Sequence, residues 1–343
     1  MPEQAEGVVA DGRSAGEARE EVLRVEGLSV AFGRASERVA LHDVSLSLRA
    51  GEVVALVGES GCGKSLTALS VMGLLPPEAH VLAGSITVCG KEIIGTPERL
   101  LRRYRGSAMG MIFQDAMVAL NPLQAVGRQI DEALRIHTNL GRGQRRDKVI
   151  ALLDAVGVPD PTNRLRQLPH QFSGGLRQRI MIAMALIGEP RLIIADEPTT
   201  ALDVTIQAQI LEVLKDVTQA RGTAVLFITH DMGVVAEVAD RVVVMYGGHV
   251  IESADVVETF STPAHPYTDA LLHSVPRTDS VRGVDLPAIP GSVPAPGAAP
   301  AGCPFHPRCS DATQECLTMP PLEQVLPDHD VACWHPHTSG RSR

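Results

Sequence analysis

No stretch of this 343-residue chain approaches the ~18 uncharged apolar residues that a membrane-crossing helix needs. Nothing at its start reads basic-then-apolar. Residues 1–21 are acidic and rich in Gly and Ala, which predicts a disordered leader and no export signal. Positive charge is also in deficit. The 31 Lys and Arg face 40 Asp and Glu, a net charge of −9, so nothing points to nucleic acid as the main partner. The short basic run over 99–105 reads as a solvated helix face. These absences predict a chain that stays in the cytosol, where six cysteines suit thiols or metal ligands better than disulfides. What is present is a 44% hydrophobic share, ample for a core, in a length that suggests two domains or one large domain with an appendage.

Residues 58–65 read Gly58-Glu59-Ser60-Gly61-Cys62-Gly63-Lys64-Ser65, between an apolar run over 53–57 and a helix-like stretch that opens with Leu66. This is G-x-x-x-x-G-K-[ST] in a strand–loop–helix setting. The glycines let successive N–H groups converge on phosphate oxygens, and the following helix presents its N-terminus to the same anion. Lys64 is placed to reach the β/γ-phosphates of a nucleotide and the Ser65 hydroxyl to ligate Mg²⁺.

From about 22 to 251, short β-branched runs alternate with helical stretches. Strands are expected over 23–32, 39–48, 53–57, 85–88, 109–113, 192–195, 224–228 and 241–245. Helices are expected over 64–74, 126–135, 145–156, 174–187, 205–219 and 233–238. The alternation predicts an α/β sheet covered by helices, with an antiparallel β edge near the N-terminus and an inserted helical subdomain over about 115–189. The expected division is a leader 1–21, an α/β core 22–262 with the phosphate loop, a helix and Pro-rich linker 263–302, a Cys-rich module 303–337 and a tail 338–343.

The strand Leu192-Ile193-Ile194-Ala195 ends in Asp196 and Glu197. It is too apolar to be an edge strand. Asp196 stands where a carboxylate holds the Mg²⁺ shell, and Glu197 where one activates the attacking water. Phe172-Ser173-Gly174-Gly175-Leu176 opens another helix, with Ser173 as its cap. It is a second anion-binding device. Two such devices in one chain suggest two copies completing each other's sites.

At this point the chain resembles the ABC-transporter ATPases, over roughly 22–276. Ser173–Leu176 matches the family signature, with Leu176 where many members have Gln. Gln114 falls at the Q-loop, which senses the γ-phosphate and contacts the membrane subunit. Ala201-Leu202-Asp203 matches the D-loop and His230 the switch histidine. Phe32 lies where the family stacks an aromatic ring on adenine, although packing into the core is an equally simple use for it. The resemblance implies a P-loop NTPase core that binds ATP and Mg²⁺. Ser65, Gln114 and Asp196 lie at the metal, and Glu197, His230 and Gln114 carry the hydrolysis. Residues 58–66, Ser173, Gly174, Gly175 and Asp203 contact the nucleotide. Asn121-Pro122-Leu123 and the run Pro263-Ala264-His265-Pro266-Tyr267-Thr268-Asp269-Ala270-Leu271-Leu272 resemble the oligopeptide, dipeptide and nickel importer branch. Members of this branch carry Pro where this chain has Ala116. The implied partners are two membrane permeases, a second ATPase subunit head-to-tail and an extracytoplasmic substrate-binding protein, with the chain peripheral on the cytoplasmic face of the membrane.

Cys303, Cys309, Cys316 and Cys333 stand in a segment with few apolar residues, which hardly folds without a staple. Three readings stand. A [4Fe–4S] cluster accepts four irregularly spaced thiolates. Structural Zn²⁺ accepts four cysteines but favours C-x₂₋₄-C knuckles, which are missing here. Unligated thiols are the third. His306, His329 and His335 are the substitutes if one thiol is out of reach. The region resembles the C-terminal extension of peptide-importer ATPases, some of which bind a [4Fe–4S] cluster.

Overall fold

The computed structural model describes residues 19–33, 38–199, 204–274, 289–295 and 297–337. Strands β1 (Glu21–Phe32) and β2 (Arg38–Arg49) pair antiparallel, and β3 (Val53–Val57) enters the core. Helix α1 (Lys64–Met72) is followed by β4 (Ala79–Val88), β5 (Lys91–Glu92), α2 (Glu98–Tyr104) and β6 (Met109–Ile112). Five helices come next: α3 (Ala116–Ala119), α4 (Val126–His137), α5 (Arg142–Ala155), α6 (Pro161–Arg164) and α7 (Gly174–Leu186). Then come β7 (Leu192–Asp196), α8 (Val204–Arg221), β8 (Ala224–Ile228), α9 (Met232–Val238), β9 (Arg241–Tyr246) and β10 (His249–Asp255). Helices α10 (Val256–Ser261) and α11 (Pro266–His273) and strands β11 (Glu323–Leu326) and β12 (His329–Val331) complete the described chain.

The strands form two sheets, one in the order β2-β1-β4-β5 and a larger one in the order β11-β12-β10-β9-β3-β8-β7-β6. The first is antiparallel throughout. In the second, β6, β7, β8, β3 and β9 run parallel. Strands β3, β7 and β8 are buried at every position, as continuous Val/Ile/Leu runs in a covered parallel sheet must be. Helix α4 buries Val126, Ile130 and Leu134, one helical stripe, against α5, α7 and the sheet.

The structure departs from the expected elements in places. Strand β4 starts at Ala79, well before 85, because it crosses a bulge. A Cβ on Gly84 would stand 2.6 Å from the Glu26 carbonyl oxygen, and the register with β1 shifts there. In the sequence that glycine reads as a strand start. Strand β10 was not anticipated. The C-terminal segment packs on the core. Strand β12 pairs with β10, and Cys303, Phe305 and Cys316 pack in one apolar cluster with Val57, Val244, Tyr246 and Tyr267. The rings of Tyr246, Tyr267 and Phe305 meet edge-on, with centroids 4.7 to 5.3 Å apart. Each such pair contributes about 1 kcal/mol beyond its buried area. Most of the expected leader and all of the expected tail lie outside the described residues.

Candidate functional site

The phosphate loop follows the C-terminal end of β3, in the crevice where open α/β sheets bind ligands. Gly58 has φ +146°, and a Cβ there would lie 2.2 Å from the Met245 carbonyl oxygen. Gly63 has φ +108°, and a Cβ would meet Leu41 at 2.5 Å. Only glycine fits either position, so the loop lies pressed onto β9 and β2 with its backbone exposed on the other side. Lys64 is 5% exposed, and its Nζ donates to the carbonyls of Gly58 at 2.7 Å and Glu59 at 3.0 Å. An anion in the loop would draw on the same ammonium donors of Lys64. The thiol of Cys62 is fully buried, and burial pushes it up in pKa against the opposing charge of Lys64.

Ser65 Oγ donates to Asp196 Oδ1 at 3.1 Å, so the loop and the end of β7 meet at the point where a cation bridging hydroxyl and carboxylate would sit. Burial pushes the Asp196 carboxyl above its usual range against that hydrogen bond, and the neighbouring Glu197 charge adds to the push. A buried, destabilised carboxylate beside a hydroxyl is a donor set suited to a hard divalent cation. The residues present therefore fit Mg²⁺, and the glycine-lined loop fits a polyphosphate.

Glu197 sits one residue past β7 with φ +47°, a left-handed conformation uncommon for a residue that carries a side chain. Its N–H donates to the Ile228 carbonyl at 2.9 Å, which fixes the turn against β8. The side chain is shared. Gln114 Nε2 donates to Oε2 at 2.7 Å, and His230 Nδ1 lies 3.3 Å from Oε1. Gln114 comes from the end of β6 and His230 from the end of β8, so the sheet brings three distant residues onto one carboxylate. Strained backbone and convergent polar side chains are features that cluster where chemistry is done.

One open cleft is lined by Phe32, Ala40, Ser60, Gly61, Gly63, Lys64, Ser65, Leu66, Gln114 and Glu197. Phe32 is half-buried at its edge, available to a flat ring. Ser173 and Gly174 are exposed at the start of α7 and do not line this cleft, and the Ser173 hydroxyl accepts from Leu176 N–H as a helix cap. Asp203 lies outside the described residues.

Over 318 residues the chain is 50% identical to a dipeptide transport ATP-binding protein, DppD of Bacillus subtilis (strain 168), covering 92% of this chain and 95% of that one. The chain belongs to the ABC transporter ATPases. An oligopeptide transport ATP-binding protein, OppD of Escherichia coli (strain K12), is 46% identical over 316 residues, 92% of this chain and 93% of that one. The family described as ABC transporter matches residues 41–200, and the one described as oligopeptide/dipeptide transporter, C-terminal region, matches residues 251–316. Among solved structures, the dimeric post-hydrolysis state of the ATP-binding cassette MJ0796 bound to ADP and Pi is similar at TM-score 0.62. It is 25% identical, over 68% of this chain and 98% of that one.

This ABC transporter ATPase also carries a cavity lined largely by its C-terminal segment. All four of Cys303, Cys309, Cys316 and Cys333 line it, with His265, Phe305, His306 and His335. Burial pushes the thiols of Cys303 and Cys309 up in pKa, and that of Cys333 up to about 12. Yet among the described residues no group of three or more His, Cys, Asp or Glu side chains is spaced to hold a metal ion. As they stand, the four thiols share a cavity without forming a ligand set. His306 Nδ1 lies 2.8 Å from the Cys303 carbonyl oxygen, so it is taken up locally, and His329 is buried 2.8 Å from Glu252.

Sequence reasoning missed Tyr267 as a neighbour of the nucleotide cleft. Its buried hydroxyl accepts from the Glu59 N–H at 2.9 Å. The run around Tyr267 marked the importer branch, but nothing local to it said that the tyrosine reaches a loop more than 200 positions earlier. Among the described residues no helix is long and apolar enough to cross a membrane.

Proposed function

We propose that this chain is the ATP-hydrolysing motor subunit of an importer for dipeptides and oligopeptides. One observation carries the catalytic part: the Glu197 carboxylate is held between Gln114 and His230 at the mouth of the phosphate loop, next to the Ser65–Asp196 pair. The names of the relatives, with the match of residues 251–316, support the cargo.

The proposed roles follow from these positions. The backbone of residues 58–66 and Lys64 bind the phosphates, and Phe32 stacks on the base. Ser65, Asp196 and Gln114 hold Mg²⁺, which neutralises charge on the transferring phosphate when bound. Glu197 takes the proton of the attacking water, and its fixed turn aims it without reorganisation at the moment of reaction. His230 steadies the γ-phosphate. The start of α7, Ser173–Gly175, exposed at Ser173 and Gly174, completes with Asp203 the site of a second ATPase subunit in a head-to-tail dimer, an arrangement supported by the dimeric cassette of similar fold. Helices α3–α7 form a helical subdomain over about 115–189 that faces two permeases at the cytoplasmic side of the membrane, and an extracytoplasmic binding protein delivers the cargo to them.

For the C-terminal cysteines, the gathering of four thiols on one cavity supports a metal centre. A [4Fe–4S] cluster or a four-cysteine zinc would have to draw them closer than they stand. Brown anaerobic protein with acid-labile sulfide is the signature of the cluster. Colourless protein with stoichiometric zinc replaces it, and neither metal retires both.

The function is tested by uptake in cells lacking this gene, offered labelled dipeptides, longer oligopeptides and Ni²⁺ in parallel. Loss of peptide uptake, restored by wild type and not by Glu197→Gln, is expected. Loss of Ni²⁺ uptake alone would move the cargo to the metal branch.

A further inference from the structure

Arg308 closes a short 3₁₀ turn, His306–Arg308, in the C-terminal segment, and its side chain is 7% exposed. A guanidinium carries five N–H donors, and here all are used. Nη1 donates to Glu59 Oε2 at 2.6 Å and to the Tyr246 hydroxyl at 3.0 Å. Nη2 donates to Glu59 Oε1 at 3.1 Å and to the Ile289 carbonyl at 3.1 Å, and Nε donates to the Pro290 carbonyl at 2.6 Å. The contact with Glu59 is thus bidentate, a geometry that lysine does not reproduce.

Glu59 is the second residue of the phosphate loop. Its side chain is held by Arg308 and its N–H by Tyr267, so both main chain and side chain are gripped by residues that follow β10. The loop gathers N–H dipoles to receive an anion, and a carboxylate in it works against that. Left unpaired, Glu59 would repel a triphosphate as one like charge repels another. Fully bonded to a buried guanidinium, it is neutralised and turned to a fixed side.

We propose that Arg308 is a positioning residue for the nucleotide: it holds Glu59 paired and aside, so that the phosphate loop is shaped and charged to receive a triphosphate. The inference rests on the nucleotide site proposed above and adds that the C-terminal segment is part of that site's support. Cys303 and Cys309 flank the turn that carries Arg308. The Cys309 N–H donates to the His306 carbonyl at 3.3 Å and the Arg308 N–H to that of Phe305 at 2.9 Å, so a change at the cysteine cavity reaches the loop through one turn.

The test is equilibrium binding of Mg·ATP by the full-length chain, with ATP turnover measured alongside, for wild type, Arg308→Ala, Arg308→Lys, Glu59→Gln and the double variant Arg308→Ala/Glu59→Gln. Arg308→Ala should weaken ATP binding about tenfold, a defect that narrows as salt screens the exposed charge. Arg308→Lys should fall between it and wild type. The double variant should regain most of the affinity, because no carboxylate is left to repel the phosphates. If Arg308→Ala does not fold, the same cycle runs on Arg308→Lys and Arg308→Lys/Glu59→Gln. Wild-type affinity in the arginine variants overturns the proposal. So does a double variant as weak as the single one, which would make the arginine a mere staple. A wild-type chain that binds no ATP instead overturns the nucleotide site itself.

Discussion

The nucleotide cleft and the cysteine-lined cavity both lean on the residues around Tyr267, yet they are built in opposite ways. The cleft is centred on one contiguous loop, residues 58–65, and the ends of β6, β7 and β8 bring their polar groups to its mouth. The cavity is made of residues spread from His265 to His335, and at least one buried polar atom in it, His265 Nε2, has no hydrogen-bond partner. The difference teaches where function was written. In the cleft, a contiguous loop of fixed backbone conformation sets the place where the strand-end groups converge. In the cavity, long-range packing brings the chemical groups together.

The largest expected effect breaks the cleft without touching the cavity. Glu197→Gln should keep ATP binding and lower phosphate release by about 10²–10⁴-fold, the usual worth of a positioned base. Retained turnover in the purified complex would remove Glu197 from that role. Glu252→Ala acts on the other side. Its buried carboxylate accepts from the N–H groups of Ala264 and His265 at 2.7 and 2.9 Å and lies 2.8 Å from His329. Deleting it should destabilise the C-terminal segment by about 3 kcal/mol, since buried partners are left unpaired. Trp334, the sole tryptophan, lies in that segment and makes the loss readable as an earlier fluorescence transition in urea.

The same carboxylate sharpens the comparison through pH. Burial alone would raise the Glu252 pKa, but the bonds from His329 and the two backbone N–H groups outweigh it and hold the group below its ordinary value. Its stabilisation is therefore present above the ordinary carboxylate pKa and is lost as pH falls through the lowered folded value. The tryptophan transition should move to lower urea on acidification in wild type, and much less in Glu252→Ala. Next in size, Lys64→Ala should weaken nucleotide binding by about 2 kcal/mol, as loss of a charged hydrogen-bond donor does. The smallest effect belongs to the bridge between the regions. Tyr267→Phe removes one neutral acceptor from Glu59 N–H and should cost about 1 kcal/mol of ATP affinity with turnover at saturation nearly unchanged.

The parallel core was legible because its strands are short, largely apolar runs, and β8 falls on the expected residues without change. The loop from Gly58 to Ser65 was legible because its spacing is its mechanism. Gln114 and His230 were legible only through resemblance, whereas Glu197 already stood out as a carboxylate ending an apolar strand. Each is a single polar residue at a strand end, and the contact between them is made by sheet order. Arg308 and the β10–β12 pairing were not legible. A buried arginine has the same letter as a solvated one, and a three-residue strand such as β12 has too short a period to announce itself.

The pairing of β12 with β10 has a further consequence for how the protein survives in a crowded solution. An unpaired β10 would be an outermost strand with free backbone groups and buried-type residues Val250, Ile251 and Ala254, the kind of border that recruits foreign strands. The hairpin occupies that border and moves the exposed rim to β11, where Glu323 and Gln324 face solvent on a strand of four residues. Shortened versions of the chain that stop before Val331 would reopen it. Such fragments are expected to aggregate even with every nucleotide-binding residue in place.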